Sequence, residues 1–403
     1  VSHTVPHLSY AVLFRQPAVA RTFLPALVGR LAYGVLPLSL LLTVQHATGS
    51  FASAASAMAL DGLASLSMPV KARAIDRYGQ RLVLPLVTAA IVVVLVSAAT
   101  MARAGTTSPL PWLAVGLGVG LASPPLGPSM RAQWRALVPE HAIATAYAVD
   151  AACEETLYLI GPMLAAGMVA VAPAYAGLVV CAALVAVGAA GLACSPVATR
   201  TARLERRRIG RGPLRHLPYL GLLVVMAAVG GVTATIYTAT AARALAVGHP
   251  AYAGLADACV AAGSVVGGLA WGRLRPSWPW SRSLARLLAF LGAGLAVASA
   301  WGPFWMFVPL LAVVGLAISP MYVVAYQASD RLVGPTEVTE ASTWVNTVTN
   351  LGIALGGAVA GLLVGHAGAR APGWLGAVIA LGVAAVLRSA GGASAEASSP
   401  GSR

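Results

Sequence analysis

The sequence predicts an all-α membrane protein of twelve transmembrane helices in two pseudo-symmetric six-helix bundles. Three observations predict it. Hydrophobic residues make up 58% of the 403 residues and charged residues only 9%, whereas a soluble domain carries about a quarter of its residues as charges. Twelve apolar stretches approach the ~20 residues that a helix needs to cross ~30 Å of hydrocarbon. Laid over each other at a constant offset of 196 residues, the two halves bring several uncommon residue types into register. A chain with so few charges cannot clothe a water-facing surface. That excludes a soluble enzyme, a coiled coil, a disordered protein and a secreted disulfide scaffold.

The stretches run approximately over 22–45, 50–70, 82–102, 110–130, 142–170 and 173–194, then 217–242, 250–271, 284–301, 303–327, 340–365 and 373–390. Pro and Gly interrupt the fourth and tenth, which membrane helices tolerate where neighbours or cavity water satisfy the freed backbone groups. The first residues lack a basic start, a sustained apolar core and a cleavage site, so no signal peptide is expected there. Cys153, Cys181, Cys194 and Cys259 lie in or at the ends of apolar stretches without a CxxC pair, and read as inert buried thiols.

The net charge of +14 is a matter of topology. Basic residues sit in short gaps between apolar runs, with no interleaved aromatics to stack bases, so no nucleic-acid partner is expected. Counting Lys and Arg by gap places 22 of the 26 on one side, from Arg15 and Arg21 through Lys71, Arg73, Arg77, Arg81, Arg131 and Arg135 to Arg388 and Arg403. Only Arg103, Arg243 and Arg370 fall on the other side, and Arg30 lies within a span. The positive-inside rule then puts both termini in the cytoplasm of a multi-pass protein of the cell membrane.

The gap 195–216, containing RLERRRIGRGPLRH, is the one long polar connection. It divides the chain into an N-terminal six-helix bundle (1–194), a basic cytoplasmic linker (195–216) and a C-terminal six-helix bundle (217–403) ending in a short disordered tail. The same basic gap also fits an anchor against anionic lipid. At the offset of 196, Ser123-Pro124 meets Ser319-Pro320, Arg135 meets Arg331, Pro139 meets Pro335, Gly161 meets Gly357, Asp61 meets Asp257 and Arg77 meets Arg273. Uncommon residue types agreeing in register without a gap point to a duplicated unit, with substrate expected between the halves near mid-membrane.

The stretch LASLSMPVKARAIDRYGQRLVL resembles the loop between helices two and three of the major facilitator superfamily, whose pattern is Gly-x-x-x-Asp-Arg-x-Gly-Arg-Lys/Arg. Asp76, Arg77, Gly79 and Arg81 match it, while Ala72 and Gln80 depart from it. In the second half, GGLAWGRL keeps Gly268 and Arg273 but has Gly272 in place of the acid. The resemblance implies the twelve-helix fold of that family and a cytoplasmic gate latched at this motif. Physically, Asp76 near a helix end is placed to accept hydrogen bonds from Arg77, Arg81 or a neighbouring helix terminus. YLIGPMLAAG is similar to the Gly-Pro motif of the family's drug/proton antiporters at Gly161 and Pro162, though Ala165, Ala166 and Leu157 stand at its other glycine positions. Small residues there permit close helix approach in either case.

Ionisable groups inside spans are costly and usually line a cavity or pair with one another. Six are present: Arg30, Asp61, Asp150, Glu154, Glu155 and Asp257. On straight helices Asp61 and Asp257 would each lie about 22 Å from the cytoplasmic end of their span. Asp150 and Glu154 share a helix face, whereas Glu155 points about 100° away. The helix packing of the resembled fold suggests Arg30 as a partner of Asp150 or Glu154, and Asp257 as a neighbour of a helix-five acid. An Arg–carboxylate pair keeps the acid ionised, and an isolated acid in low dielectric is protonated near neutrality. Alternation between these conditions carries a proton, and Glu154 or Glu155 is expected to do so, with Arg30 as electrostatic partner. The same groups also fit a static buried ion pair that fixes helix packing. Asn346 and Asn350 take the pseudo-symmetric places of Asp150 and Glu154. Tyr33, Gln133, Tyr158, Tyr237, Tyr322, Tyr326, Gln327 and Trp344 complete the expected cavity lining.

Metal-ligand spacing, a phosphate loop and a nucleophile elbow are all lacking, so neither an enzyme nor a cofactor is expected. The reading is a monomeric, bacterial, proton-coupled secondary transporter, an exporter of a small amphipathic compound. Its expected partners are that compound, protons and the bilayer. The alternatives are a proton symporter importing a sugar, amino acid or other metabolite, and a non-transporting sensor or scaffold with the same fold.

Overall fold

Twelve helices among the described residues are long and apolar enough to cross a membrane. The computed structural model describes residues 13–14, 16–195, 197–198, 212–249, 252–274, 276, 278–300 and 303–396. Most of the basic connection and the end of the tail lie outside them. In chain order the helices are α1 (Pro17–Thr48), α2 (Phe51–Tyr78), α3 (Gln80–Arg103), α4 (Pro109–Leu137), α5 (Ile143–Val171) and α6 (Ala176–Ala193). They continue as α7 (Leu217–Ala246), α8 (Tyr252–Leu274), α9 (Trp280–Ala300), α10 (Phe304–Leu332), α11 (Val338–Ala367) and α12 (Ala371–Glu396).

Three helices are interrupted. Two breaks, in α4 and α10, fall where the sequence placed them. Helix α4 consists of Pro109–Ala122 and Leu126–Leu137, parted at Ser123-Pro124-Pro125. Proline has no N–H to continue the ladder, and the Tyr33 hydroxyl donates to the Pro124 carbonyl. Helix α10 breaks between Phe304–Gly315 and Ile318–Leu332. The third break was not expected: α2 turns at Leu66 and Ser67 between Phe51–Ser65 and Met68–Tyr78. The straight-helix depth assigned to Asp61 is corrected accordingly. Helix α2 also runs on to Tyr78, so Asp76 and Arg77 sit in its last helical turns rather than in a loop. Only Gly79 separates α2 from α3. Its φ of 87° and ψ of 152° lie in a region that is essentially glycine-only.

The chain divides into two units. The first comprises Val1–Ala146, Thr156–Pro213 and Val333–Thr347. The second comprises Tyr147–Glu155, Leu214–Leu332 and Val348–Arg403. The division follows contacts and therefore splits α5 and α11, each of which gives one segment to each unit.

In the first unit, α1 packs on α6, α2 on α4, and α3 on α6. Its core is built from Leu40 and Val44 of α1, Ala57 of α2, Leu95 of α3, Trp112 and Val119 of α4, and Leu178 and Val185 of α6. In the second unit the corresponding pairs recur: α7 on α12, α8 on α10, and α9 on α12. This recurrence is the duplication in physical form. The close contacts also repeat at the same offset. Gly34 of α1 lies against the backbone of Leu157 and Gly161 of α5, and its counterpart Gly230 of α7 lies against Thr349 and Ile353 of α11. In both places an added Cβ would collide with backbone atoms, so only glycine allows the helices to come this close.

Candidate functional site

Two clusters of polar side chains stand out, one inside each unit. In the first unit, Asp76 at the end of α2 accepts hydrogen bonds from the backbone N–H groups of Thr339 (3.2 Å to Oδ1) and Glu340 (2.8 Å to Oδ2). These belong to the first turn of α11, where amides have no intrahelical acceptor and the helix dipole favours a negative charge. Asp76 thus acts as an N-cap supplied by another helix, and it is 8% exposed.

Further side chains and one backbone amide complete this cluster. Arg73 is one turn before Asp76 and grips Glu340 with both nitrogens, Nε to Oε2 at 2.8 Å and Nη2 to Oε1 at 2.6 Å, the bidentate geometry that suits a guanidinium. Trp344 donates from Nε1 to Glu340 Oε1 at 3.3 Å. The amide of Gly212 donates to Glu337 Oε1 at 3.0 Å. Of the residues named from the motif, Asp76 makes the helix-end contact and Gly79 makes the turn. Arg77 is exposed and lies 5.2 Å over the ring of Tyr78, and Arg81 and Arg273 are exposed. Arg73, Glu337 and Glu340 were not foreseen.

The second unit holds the carboxylate–tyrosine cluster. Glu154 and Glu155 of α5 are half-buried and lie in electrostatic range of Tyr322 of α10, as do Tyr326 and Tyr237. Glu155 and Asp257 both act on Tyr237 of α7. Asp257 of α8 accepts a 2.8 Å hydrogen bond from the Thr240 hydroxyl of α7. Tyr322 and Tyr326 have ring centroids 6.2 Å apart. Four helices thus bring together five of the expected residues, Glu155, Asp257, Tyr237, Tyr322 and Tyr326, with Glu154 beside them. Two members were missed. Tyr147 of α5, which is 1% exposed, donates from its hydroxyl to Asp330 Oδ2 of α10 at 2.5 Å. Tyr147 also meets Tyr326 edge to face at 6.3 Å.

The remaining candidates are spread more widely. Arg30 is buried at 3% exposure in the first unit, and so is Arg131 at 1%. Both guanidiniums converge on Gly127, where an added Cβ would meet Arg30 Nε at 3.7 Å and Arg131 Nη1 at 3.6 Å. Arg131 was counted with the cytoplasmic gaps. It belongs instead inside the second half of α4, because the helix restarts at Leu126. Asp150 is 1% exposed. Asp61 is half-buried, in Coulombic reach of Lys71.

Gln133 is no cavity residue. It is fully buried, and its amide nitrogen bonds Gln80 Oε1 at 2.5 Å and the Leu192 carbonyl at 3.0 Å, so its side chain ties α3, α4 and α6 together. Gly161 provides the α1 contact described above, and Pro162 is exposed. Tyr158 is 55% exposed, Asn350 is exposed, and Gln327 and Asn346 are half-buried. Among the described residues no group of His, Cys, Asp and Glu is arranged to hold a metal ion.

Comparison with known proteins identifies the architecture. A family model described as Major Facilitator Superfamily matches residues 219–401, somewhat less than half of the chain. No curated protein matches the sequence. Among solved structures, the human organic anion transporter MFSD10 is 16% identical with a TM-score of 0.69, covering 93% of this chain and 99% of its own. A bacterial homologue of the iron transporter ferroportin, in an outward-facing state, is 14% identical with a TM-score of 0.71, covering 92% and 98%. The E. coli fucose:proton symporter is 12% identical with a TM-score of 0.62, again covering 92% and 98%. At these identities the likeness establishes the fold. The chain has the all-α, twelve-helix fold of the major facilitator superfamily.

Proposed function

We propose that the protein is a proton-coupled secondary transporter that works by alternating access and exports a small amphipathic compound. The observation that carries this reading is the set Glu154, Glu155 and Asp257 gathered among tyrosines within apolar helices. Carboxyl groups are expensive at such depth, and those retained there usually mark ion and substrate pathways. Glu155 is the proposed proton carrier, since it lies within electrostatic range of both Tyr322 and Tyr237. Tyr237, Tyr322 and Tyr326 offer apolar faces with polar tips, as an amphipathic ligand requires. The buried Arg30 is proposed to tune the cycle electrostatically, and the Asp76–Arg73–Glu340 cluster to act as the cytoplasmic gate. The moving bodies are taken to be the sequence halves 1–194 and 217–403, joined by the basic stretch 195–216. Both termini are placed in the cytoplasm of a bacterial cell, on the distribution of Lys and Arg and the Ala- and Arg-rich composition, and the protein is taken to be a monomer.

Export is supported by Gly161 and Pro162, which match in part the Gly-Pro motif of drug/proton antiporters. A second reading is symport of a sugar, amino acid or other metabolite, since the fold is shared with a fucose:proton symporter. The two are separated by reconstituting the protein in liposomes, imposing a pH gradient of either sign and following a panel of fluorescent amphipathic dyes. Movement of dye against the direction of proton flow supports export, and movement with it supports symport. Dye movement indifferent to the gradient overturns proton coupling.

A further inference from the structure

We propose that Asp330, Tyr147, Tyr326 and Tyr322 form a proton lane that leads to Glu155, an inference that rests on Glu155 being the proton carrier. The lane follows from register. On α10, Tyr322, Tyr326 and Asp330 stand at positions i, i+4 and i+8, a single stripe along one helix face. On α5, Tyr147, Ala151 and Glu155 stand at the same spacing. The stripes run in opposite chain directions: Tyr147 bonds Asp330 at one end, and the register brings Glu155 level with Tyr322 at the other, within electrostatic range of it. In the middle of the stripe, Tyr326 is 3% exposed, with its ring centroid 6.3 Å from that of Tyr147, edge to face, and 6.2 Å from that of Tyr322. Each helix thus offers an acid to a tyrosine of the other, with tyrosine hydroxyls between. Eight residues of helix separate the ends, about 12 Å.

A pure packing ladder has no need of hydroxyls or of acids at opposite ends; phenylalanines would bury more apolar surface at less cost. A relay needs both. Asp330 stands at the end of α10 beside the exposed Arg331, where it takes a proton from water. The proton passes to the Tyr147 hydroxyl as that hydroxyl gives up its own, and the exchange repeats through Tyr326 and Tyr322, with water bridging wherever successive hydroxyls are not in contact. Each tyrosine ends neutral, the Asp330 carboxylate is restored, and the last O–H bond forms on Glu155. The charged and titratable groups in electrostatic range of Glu155 are Glu154 on the same helix, Tyr322 of α10 and Tyr237 of α7, and Asp257 of α8 also acts on Tyr237.

The test requires no substrate. A light-triggered pH jump is applied to the purified full-length protein, and infrared difference spectroscopy follows the carbonyl band of a protonated carboxyl group. Glu155→Gln identifies the band that belongs to Glu155. Tyr326→Phe keeps the ring and removes the relay, and the band is expected to rise about tenfold more slowly or worse, to the same final amplitude. Tyr147→Phe and Asp330→Asn are expected to slow it as well, while Tyr175→Phe, outside the lane, leaves the rate unchanged. If one variant fails to fold, the others carry the test. Unaltered rates in Tyr326→Phe and Tyr147→Phe overturn the lane and leave Glu155 as proton carrier. A wild-type spectrum with no band removed by Glu155→Gln overturns the carrier reading, and the lane with it.

Discussion

The ammonium of Lys71 lies 2.9 Å from the carbonyl oxygen of Gly120 and makes the hydrogen bond that Pro124 cannot. A helical residue at 124 would direct its N–H to that carbonyl, and one at 125 to Leu121. Both positions are proline, and Lys71 Nζ donates to both carbonyls, the second also at 2.9 Å. The second unit solves the same problem differently. At the offset of 196, Lys71 becomes Gly267, Gly120 becomes Leu316 and Pro124 becomes Pro320. There Gly267 brings the α8 backbone directly against the Leu316 carbonyl. One half of the duplication therefore covers its broken helix with a charge and the other with close packing.

Lys71→Met should leave the Gly120 and Leu121 carbonyls without their donor at a cost of about 1–3 kcal/mol. Thermal unfolding in detergent should show a lower midpoint than the wild type. Lys71→Arg should recover most of the loss, because a guanidinium can donate to two acceptors at once. Equal midpoints for Lys71→Met and wild type would remove Lys71 from the support of this break.

The Asp76 cap predicts a local effect on α11. Asp76→Ala removes the acceptor of two first-turn amides, worth about 1–2 kcal/mol by analogy with N-cap replacements. Hydrogen exchange at Thr339 and Glu340 should accelerate about tenfold, since 1.4 kcal/mol is one decade. Exchange in the second half of α11 should change little.

Gly161→Ala should be costly and Gly167→Ala should not, although both lie on α5. A Cβ at 161 collides with the backbone of Gly34, whereas nothing stands within 4 Å of one at 167. Overpacking of this kind costs about 1–3 kcal/mol, readable as a lower unfolding midpoint for the first variant alone.

Gly79→Ala should destabilise the α2–α3 junction by about 1–3 kcal/mol through backbone strain alone. No close contact at this position needs to be invoked. Gly62→Ala on α2, with open space around it, is the matched control, and the two should differ in unfolding midpoint.

The twelve spans were legible because length and hydropathy are local properties, and the breaks in α4 and α10 because proline announces them. The break at Leu66 and Ser67 is marked only by Pro69, in the first turn of the resumed helix, and the apolar stretch was ended at residue 70, so α2 was read as straight and too short. Asp76 could be picked out from its motif, but its partners could not. Glu340 is 264 residues away, a distance at which spacing holds no information. Arg131 was placed in a gap because the fourth apolar stretch was ended at residue 130, whereas the helix continues to Leu137. Glu154, Glu155 and Asp257 were found as charges in apolar surroundings. Tyr147 and Asp330 escaped notice, yet the i, i+4, i+8 stripe Tyr322, Tyr326 and Asp330 was available in the sequence.

The most direct test of the central claim records proton and dye movement together in the same liposomes, for wild type and for Glu155→Gln. The account predicts that the wild type moves dye and protons in fixed proportion, and that Glu155→Gln loses the proton flux and the gradient-driven dye transport together. Gradient-driven dye transport that persists undiminished in Glu155→Gln would contradict it.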